Sequence, residues 1–158
     1  MSEPFNYTRL ELVTIYQDVT TEGIFYVDDA QEATIRQAFE AASPPQEQLA
    51  YMEELIGRDG VLPSSIISRD ANNEAHGKYR IFGKNGLVVE LMHHRHGVPH
   101  GPFGMYDDDT GKPIDEGHYE DGEIHGLYTS YAPAGENPTH KRYEHGMRIF
   151  GSFVPELG

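Results

Sequence analysis

His-Gly pairs return along the second half of this chain at a nearly constant interval. They stand at His76-Gly77, His100-Gly101 and His125-Gly126, which are 24 and 25 residues apart, and Phe150-Gly151 takes the next place. Aromatic residues and turn glycines keep step with these pairs. A period of this length is typical of folds that stack one small unit on the next, because a lone unit cannot bury its own apolar face.

Each unit contains the same landmarks in the same order. An aromatic residue follows the glycine by two positions, a second aromatic comes three positions later, and turn glycines follow. Turn sequences such as "KNG", "DTG" and "EDG" separate short β-rich segments, which predicts one β-hairpin per unit. We therefore predict an antiparallel β-meander with units near 76–99, 100–124 and 125–149, a preceding half unit at 64–75 and a terminal strand at 150–154.

Two segments carry a resemblance to a known family. "HGKYRIFGKNGLVVE" and "EGHYEDGEIHGLYTSYAPAGE" resemble MORN repeats, and most of all the bacterial MORN-variant repeat, over roughly residues 64–153. The resemblance implies a single curved sheet that serves as a scaffold or binding surface, and some bacterial variant proteins are antitoxins. The chain departs from the pattern at His94, where later units have tyrosine, and in the polar segment "PAGENPTHKRY".

Residues 1–60 lack the repeat and contain two helix signatures. "DDAQEATIRQAFEAA" has a capping-box spacing at Asp29 and Glu32. "SPPQEQLAYMEELIGRDG" begins with Ser43 as the expected cap and Pro44 at the first helical position. Each segment repeats apolar residues with helical spacing, so both are predicted to be amphipathic helices.

The segment "TRLELVTIYQDV" is ambiguous. Thr8 and Glu11 have the spacing of a capped helix, whereas the β-branched run favours a strand. We predict a helix here and an extended "GIFYV" after it. The expected fold class is α+β, with a mainly helical N-terminal region (1–60) packed on a C-terminal antiparallel β-meander (61–158) built from hairpin repeats of about 24 residues.

Charge and composition narrow the partner class. The net charge is −14, which predicts repulsion from nucleic acid and from anionic membranes and favours a basic protein partner. The alternative is that acidity only keeps the chain soluble. The chain has no cysteine, its first residues are polar, and no apolar run reaches membrane-spanning length, so we predict a cytoplasmic protein.

The stretch "HHRHGVPHG" (93–101) raises the question of a metal site. If a metal bound there, the ligands would be His94, His96 and His100. The repeat explains the same residues as members of a strand end, a turn and the next His-Gly pair. We therefore predict no metal, no cofactor and no catalytic residue. The aspartates at 107–109 do not match the calcium-binding loop pattern, and we predict that they form a solvated turn.

Acidic residues crowd the second unit, where the turns at Gly111 and Gly122 divide them between two margins of the sheet. Either cluster could recognise a basic partner, with tyrosines as anchors. The candidate partner-binding residues are Asp107, Asp108, Asp109, Asp115, Glu116, Glu120, Asp121, Glu123, Tyr106 and Tyr131. The favoured function is an immunity or antitoxin protein that neutralises a cognate toxin or effector by direct binding. The alternatives are a MORN-type structural or membrane-associated scaffold and, less favoured, a metal-dependent enzyme. The terminal edge at "RIFGSFV" allows pairing with a second copy.

Overall fold

The structure is a computed structural model that describes residues 7–150. Within this range the chain forms one mostly antiparallel sheet with two helices. The strands are β1 (Tyr7–Tyr16), β2 (Val19–Asp28), β3 (Leu62–Arg69), β4 (Ala75–Phe82), β5 (Val88–Arg95), β6 (Val98–Pro99), β7 (Gly101–Tyr106), β8 (Pro113–Glu120), β9 (Glu123–Ile124), β10 (Gly126–Ser130), β11 (Thr139–Glu144) and β12 (Met147–Ile149). The helices are α1 (Asp29–Ala41) and α2 (Pro45–Leu55).

The strands pair in the order of the chain. The sequence of neighbours is β1-β2-β3-β4-β5-β7-β8-β10-β11-β12, with β6 beside β5 and β9 beside β8. Strand β2 pairs with β3, so the sheet runs without a break through the expected boundary near residue 60. Of the terminal strand expected at 150–154, residues 151–154 lie outside the described part of the chain.

The first strand corrects a prediction of the sequence analysis. The helix expected over "TRLELVTIYQDV" is wrong, because Tyr7–Tyr16 is a strand that pairs with β2 along its whole length. Leu10 and Leu12 point into the core while Val13 is exposed, which is the period of two that a strand requires. The side chain of Thr8, the expected helix cap, instead donates a hydrogen bond to the carboxylate of Asp29.

Both remaining helices form where the sequence predicts them. Ile35 and Phe39 are buried on α1, and Met52 and Leu55 are buried on α2. The predicted caps are wrong in detail, since the N-cap residues are Asp28 and Pro44 and neither makes a side-chain capping bond. The stability of these helices therefore comes from tertiary packing of their apolar faces more than from their ends.

The hydrophobic core lies at one end of the sheet. Its eleven buried members come from residues 10–82, that is, from β1 to β4, the two helices and Val61. Helix α2 packs on β1, and α1 packs on β1 and β2. In contrast, Gly104 and Thr129 are the only buried residues in the described stretch 83–150. From β5 onwards, the described chain is thus a single-layered sheet with no core of its own.

A row of directly paired residues defines the two faces of this sheet. The row starts at Ile66 in the core and continues through Arg80, Leu91, Gly104, Glu116, Thr129 and His140. Directly paired residues point to the same side of a sheet. All of them therefore lie on the side that carries the helices, the helix face, and the opposite side is the outer face.

Two strands of the second half are interrupted at a His-Gly pair. Strands β6 and β7 flank His100, and β9 and β10 flank His125. The glycines that follow have φ values of +115° and +88°, a region that favours glycine. The backbone N–H of each histidine still donates to the preceding long strand, at 2.9 Å in both cases. Pairing therefore resumes directly after each interruption.

No helix in residues 7–150 combines the length and apolar character that crossing a membrane needs.

Candidate binding surface

The three histidines considered as metal ligands do not converge. His94 lies on the outer face beside Tyr79, with ring centroids 5.9 Å apart. His96 occupies the turn after β5, and His100 stands at the interruption between β6 and β7. Within residues 7–150, one group of three side chains has ligand atoms within 4.8 Å of one another, and it consists of Asp70, His76 and His96.

The Asp70 group is held together by hydrogen bonds of its own. Asp70 is buried, and its Oδ2 lies 2.7 Å from Nδ1 of His96. Its Oδ1 accepts the backbone N–H groups of Asn72 and Glu74, at 2.9 and 3.0 Å. These bonds lower the pKa of Asp70, with the His96 bond as the first cause. The sequence signal for Asp70 is the "DANN" turn, because aspartate often accepts a backbone bond two residues on.

The two imidazoles of this group contact each other directly. The ring centroids of His76 and His96 are 4.3 Å apart with 31° between the ring planes, which is a tilted ring contact. Nδ1 of His76 also accepts the backbone N–H of His96 at 3.0 Å. The group therefore closes a turn.

Aromatic rings form a continuous row on the outer face of the second half. Neighbouring centroids are 4.7 Å apart for Phe103 and Tyr119, and 6.1 Å apart for Phe103 and Tyr128 and for Tyr128 and Tyr143. Gly117 lies beneath the row, since a Cβ there would come within 2.7 Å of the Phe103 ring. Such contacts replace part of the core that this half of the sheet lacks.

His94 is the odd member of this outer face. It pairs with Gly77, whereas Tyr119 pairs with Gly101 and Tyr143 with Gly126. Its Nδ1 is buried and has no hydrogen-bond partner among the described residues. Burial, with a smaller effect of neighbouring His93, lowers the pKa of His94. Neutral imidazole is thus favoured at this position.

The predicted acidic site is divided among several places. Asp107, Asp108 and Asp109 lie in the turn between β7 and β8, whereas Glu120, Asp121 and Glu123 lie around the turn at the opposite margin. Most of these carboxylates already have partners. Asp107 accepts two backbone N–H groups and the Thr110 hydroxyl, which lowers its pKa, and Asp121 lies 2.6 Å from the Arg95 guanidinium. The acids of the second unit thus lie at two separate margins of the sheet, as the turn positions in the sequence indicate.

Asp115 and Glu116 point to opposite faces because they are adjacent in a strand. On the outer face, Asp115 accepts hydrogen bonds from Tyr128 at 2.8 Å and from Ser130 at 2.9 Å. Glu116 lies on the helix face and accepts a hydrogen bond from Tyr131 at 2.9 Å. The two carboxylates can therefore be tested separately.

Three of the predicted residues do come together on the helix face. Tyr106, Glu116 and Tyr131 form a group that we call the tyrosine–glutamate cluster. The hydrogen bond to Glu116 raises the pKa of Tyr131. Burial, followed by the negative charge of Glu116, raises the pKa of Tyr106. A carboxylate between two half-buried phenols is suited to receive a cationic side chain.

Sequence reasoning missed a second feature of the same face. Lys78 and Arg80 from β4 line two adjacent hollows, one of about 530 Å³ beside α2 and one of about 290 Å³ beside Tyr106. The only signal in the sequence is the alternation in "KYR", which places both cations on one side of a strand.

Comparison with known protein families, with curated proteins and with solved structures finds no match to this chain.

Proposed function

We propose that this protein is a cytoplasmic protein-binding module of the immunity or antitoxin kind, which neutralises a cognate toxin or effector by covering it. The observation that carries the proposal is the single-layered half of the sheet. From β5 to β12 the helices leave the helix face open, and the tyrosine–glutamate cluster lies on it. A broad open surface with aromatic anchors is typical of protein recognition.

The second half is proposed to consist of MORN-like hairpin repeats. Three recurrences support this organisation. Gly77, Gly101 and Gly126 all have positive φ. Each of them pairs with a ring-bearing residue of the next strand. Each histidine that precedes them accepts a backbone N–H from the next turn. Stacked units of this kind give a sheet whose area grows with their number.

The proposed contact is a lysine or arginine of a basic partner placed against Glu116 between Tyr106 and Tyr131. The carboxylate supplies the charge and the two rings supply cation–π contact. The net charge of −14 attracts a basic partner over longer range and raises the association rate more than the affinity. In this account the acidic turns at the two margins assist the approach of the partner, while the cluster provides specificity.

The protein is proposed to act by binding alone and not by catalysis. The polar groups most suited to chemistry are engaged in holding the fold. Asp70 and His96 bond to each other, and Asp107 closes its own turn. His94, whose pKa is lowered by burial, packs beside Tyr79 on the outer face. This arrangement favours structural roles for the residues from which an active site would have to be built.

Co-expression with the product of the adjacent gene tests the proposal. We expect a stable complex on purification and protection of cells from that product. A growth defect that this protein does not relieve, together with no complex, would refute the immunity function. Flotation with anionic liposomes is the second arm, and binding there without a protein complex would instead support the membrane-associated scaffold.

A further inference from the structure

A hollow on the helix face lies between helix α2 and strand β4. Its volume of about 530 Å³ falls in the range of small-ligand pockets. Its lining includes the apolar side chains of Val19, Leu49 and Ile66 and the hydroxyl of Ser68. The hollow is independent of the tyrosine–glutamate cluster, which lies further along the helix face.

Basic residues of β4 line one wall of this hollow. His76, Lys78 and Arg80 follow at every second position of β4 and therefore project to the same side. Arg80 is held by Glu53, with Nη1 2.9 Å from a carboxylate oxygen. Its Nε is buried and has no hydrogen-bond partner among residues 7–150. The one carboxylate that lines the hollow is thus already engaged at the other guanidinium nitrogens.

Lys78 is the cation of this wall whose charge has no acidic partner among residues 7–150. It is exposed and has no ion pair or hydrogen bond to the side chains of residues 7–150. Its cross-strand partner is His93, and no carboxylate of β4 or β5 projects to the helix face beside it. The chain has a net charge of −14, so an unpaired lysine beside a hollow makes this part of the surface locally positive.

His76 adds a directed donor to the same wall. Its Nδ1 accepts the backbone N–H of His96, so the hydrogen of the neutral ring is on Nε2. The second hollow lies on the far side of Lys78 and Arg80, and Leu87 and Leu91 give it an apolar lining. The two cations therefore form a ridge between two apolar surfaces.

We infer that this ridge and the hollow beside α2 form a binding site for a small organic carboxylate with an apolar body. The carboxylate contacts Lys78, and the apolar body lies over Ile66 and Leu49. An inorganic or very small anion would contact only the charged Lys78, whereas a neutral ligand would contact only the apolar lining of the hollow. The ligand class follows from having both kinds of surface side by side.

Amide chemical shifts measured during titration test this site with three matched probes. Phenylacetate carries both features, acetate carries only the charge, and phenylacetamide is the neutral isostere. We expect phenylacetate to bind more tightly than either of the others and to shift the amides of Ser68, His76 and Lys78. Binding of phenylacetamide or acetate as tight as that of phenylacetate would overturn the assignment, as would the absence of any shift near β4.

The variant Lys78→Met keeps the aliphatic stem and removes the charge. We expect it to weaken phenylacetate binding by roughly fivefold, because the lysine is exposed and its interactions are partly screened. The matched control is Lys84→Met, an exposed lysine in the turn after β4 that lies 3.7 Å from Asp109. Equal losses in the two variants, or no loss in Lys78→Met, would contradict the site. Because no protein partner is involved, failure here is independent of the proposed function.

Discussion

The backbone N–H of His96 donates a hydrogen bond to Nδ1 of His76 across the turn after β5, at 3.0 Å. The same bond joins Asp121 to His100 and His145 to His125, each at 3.2 Å. The three donors have φ values of +47°, +49° and +47°, which are uncommon for residues other than glycine. Each histidine thus stabilises a left-handed turn residue in the next part of the sheet.

Replacement of His76 by alanine should lower the free energy of unfolding by about 1 kcal/mol, because the hydrogen bond from the His96 backbone N–H and the ring contact with His96 are lost. His118→Ala is the matched control, since His118 is exposed and lies in the middle of β8. Urea unfolding at pH 7.5 measures both variants. An equal effect of the two substitutions would mean that the turn does not depend on the histidine.

Asp70 should give the protein a specific acid sensitivity. The hydrogen bonds from His96 and from two backbone N–H groups lower the pKa of Asp70, so the folded state favours the ionised form. This contribution is fully present above about pH 4, the pKa of an unfolded aspartate, and is lost as pH falls through the lower pKa of the folded state. Asp70→Asn should therefore be less stable at pH 6 and should lose less stability between pH 4 and pH 2.5.

The comparison for Asp70 is Asp59→Asn, which changes an exposed aspartate. Its unfolding midpoint should follow that of the unsubstituted protein at every pH. If Asp70→Asn shows the same acid loss as the unsubstituted chain, Asp70 does not contribute through its ionised form.

His94→Tyr should stabilise the protein. The variant places a phenol where Tyr119 and Tyr143 stand in the later pairs and removes a buried nitrogen that lacks a partner. Aromatic pairing of this kind contributes about 0.5–1 kcal/mol. Because burial lowers the pKa of His94, the unfolded state takes up its proton first, below about pH 6.5, and the folded state loses stability there.

The gain from His94→Tyr should therefore be larger at pH 5.5 than at pH 8, as measured by thermal unfolding. His118→Tyr is the control, because that histidine is exposed. A His94→Tyr variant that is less stable than the unsubstituted protein at both pH values would show that the imidazole is needed at this position.

Gly117→Ala should disturb the aromatic row. The added Cβ would lie 2.7 Å from the Phe103 ring and 3.2 Å from the Tyr128 ring, and Gly117 does not have positive φ, so the effect is steric. Overpacking of this kind costs about 1–3 kcal/mol. Gly57→Ala is the comparison, because its added Cβ would lie 3.9 Å from the backbone oxygen of Glu54, and it should be neutral within about 0.5 kcal/mol. Similar stabilities of the two variants would contradict the packing described for the row.

The sequence predicted the helices and the antiparallel order because their signals are local. Helical spacing of apolar residues located α1 and α2, and paired turn glycines located the later hairpins. The first strand was missed because both of its faces are partly apolar, with Leu10 and Leu12 inside and Val13 and Ile15 exposed. That pattern hides a period of two, and the spacing of Thr8 and Glu11 then imitates a helix start.

The candidate surface was predicted only in part. Tyr106, Glu116 and Tyr131 were named, and the strand register brings them together. The other acids named with them are separated because a turn at each margin and the alternation within β8 send them to different places. The contact between Asp70 and His96 joins residues 26 positions apart, and the place of Lys78 beside α2 likewise depends on how distant segments pack. Composition and spacing carry no information about such contacts.

The affinity of the complex in Glu116→Gln and Asp115→Asn tests the central claim most directly. The two variants make the same change of charge at adjacent residues on opposite faces, and calorimetric titration with the purified partner measures each. We expect Glu116→Gln to weaken binding about tenfold, because it removes the charge of a close ion pair, and Asp115→Asn to leave binding unchanged. Equal affinities of the two variants, or a loss confined to Asp115→Asn, would contradict binding through the helix face.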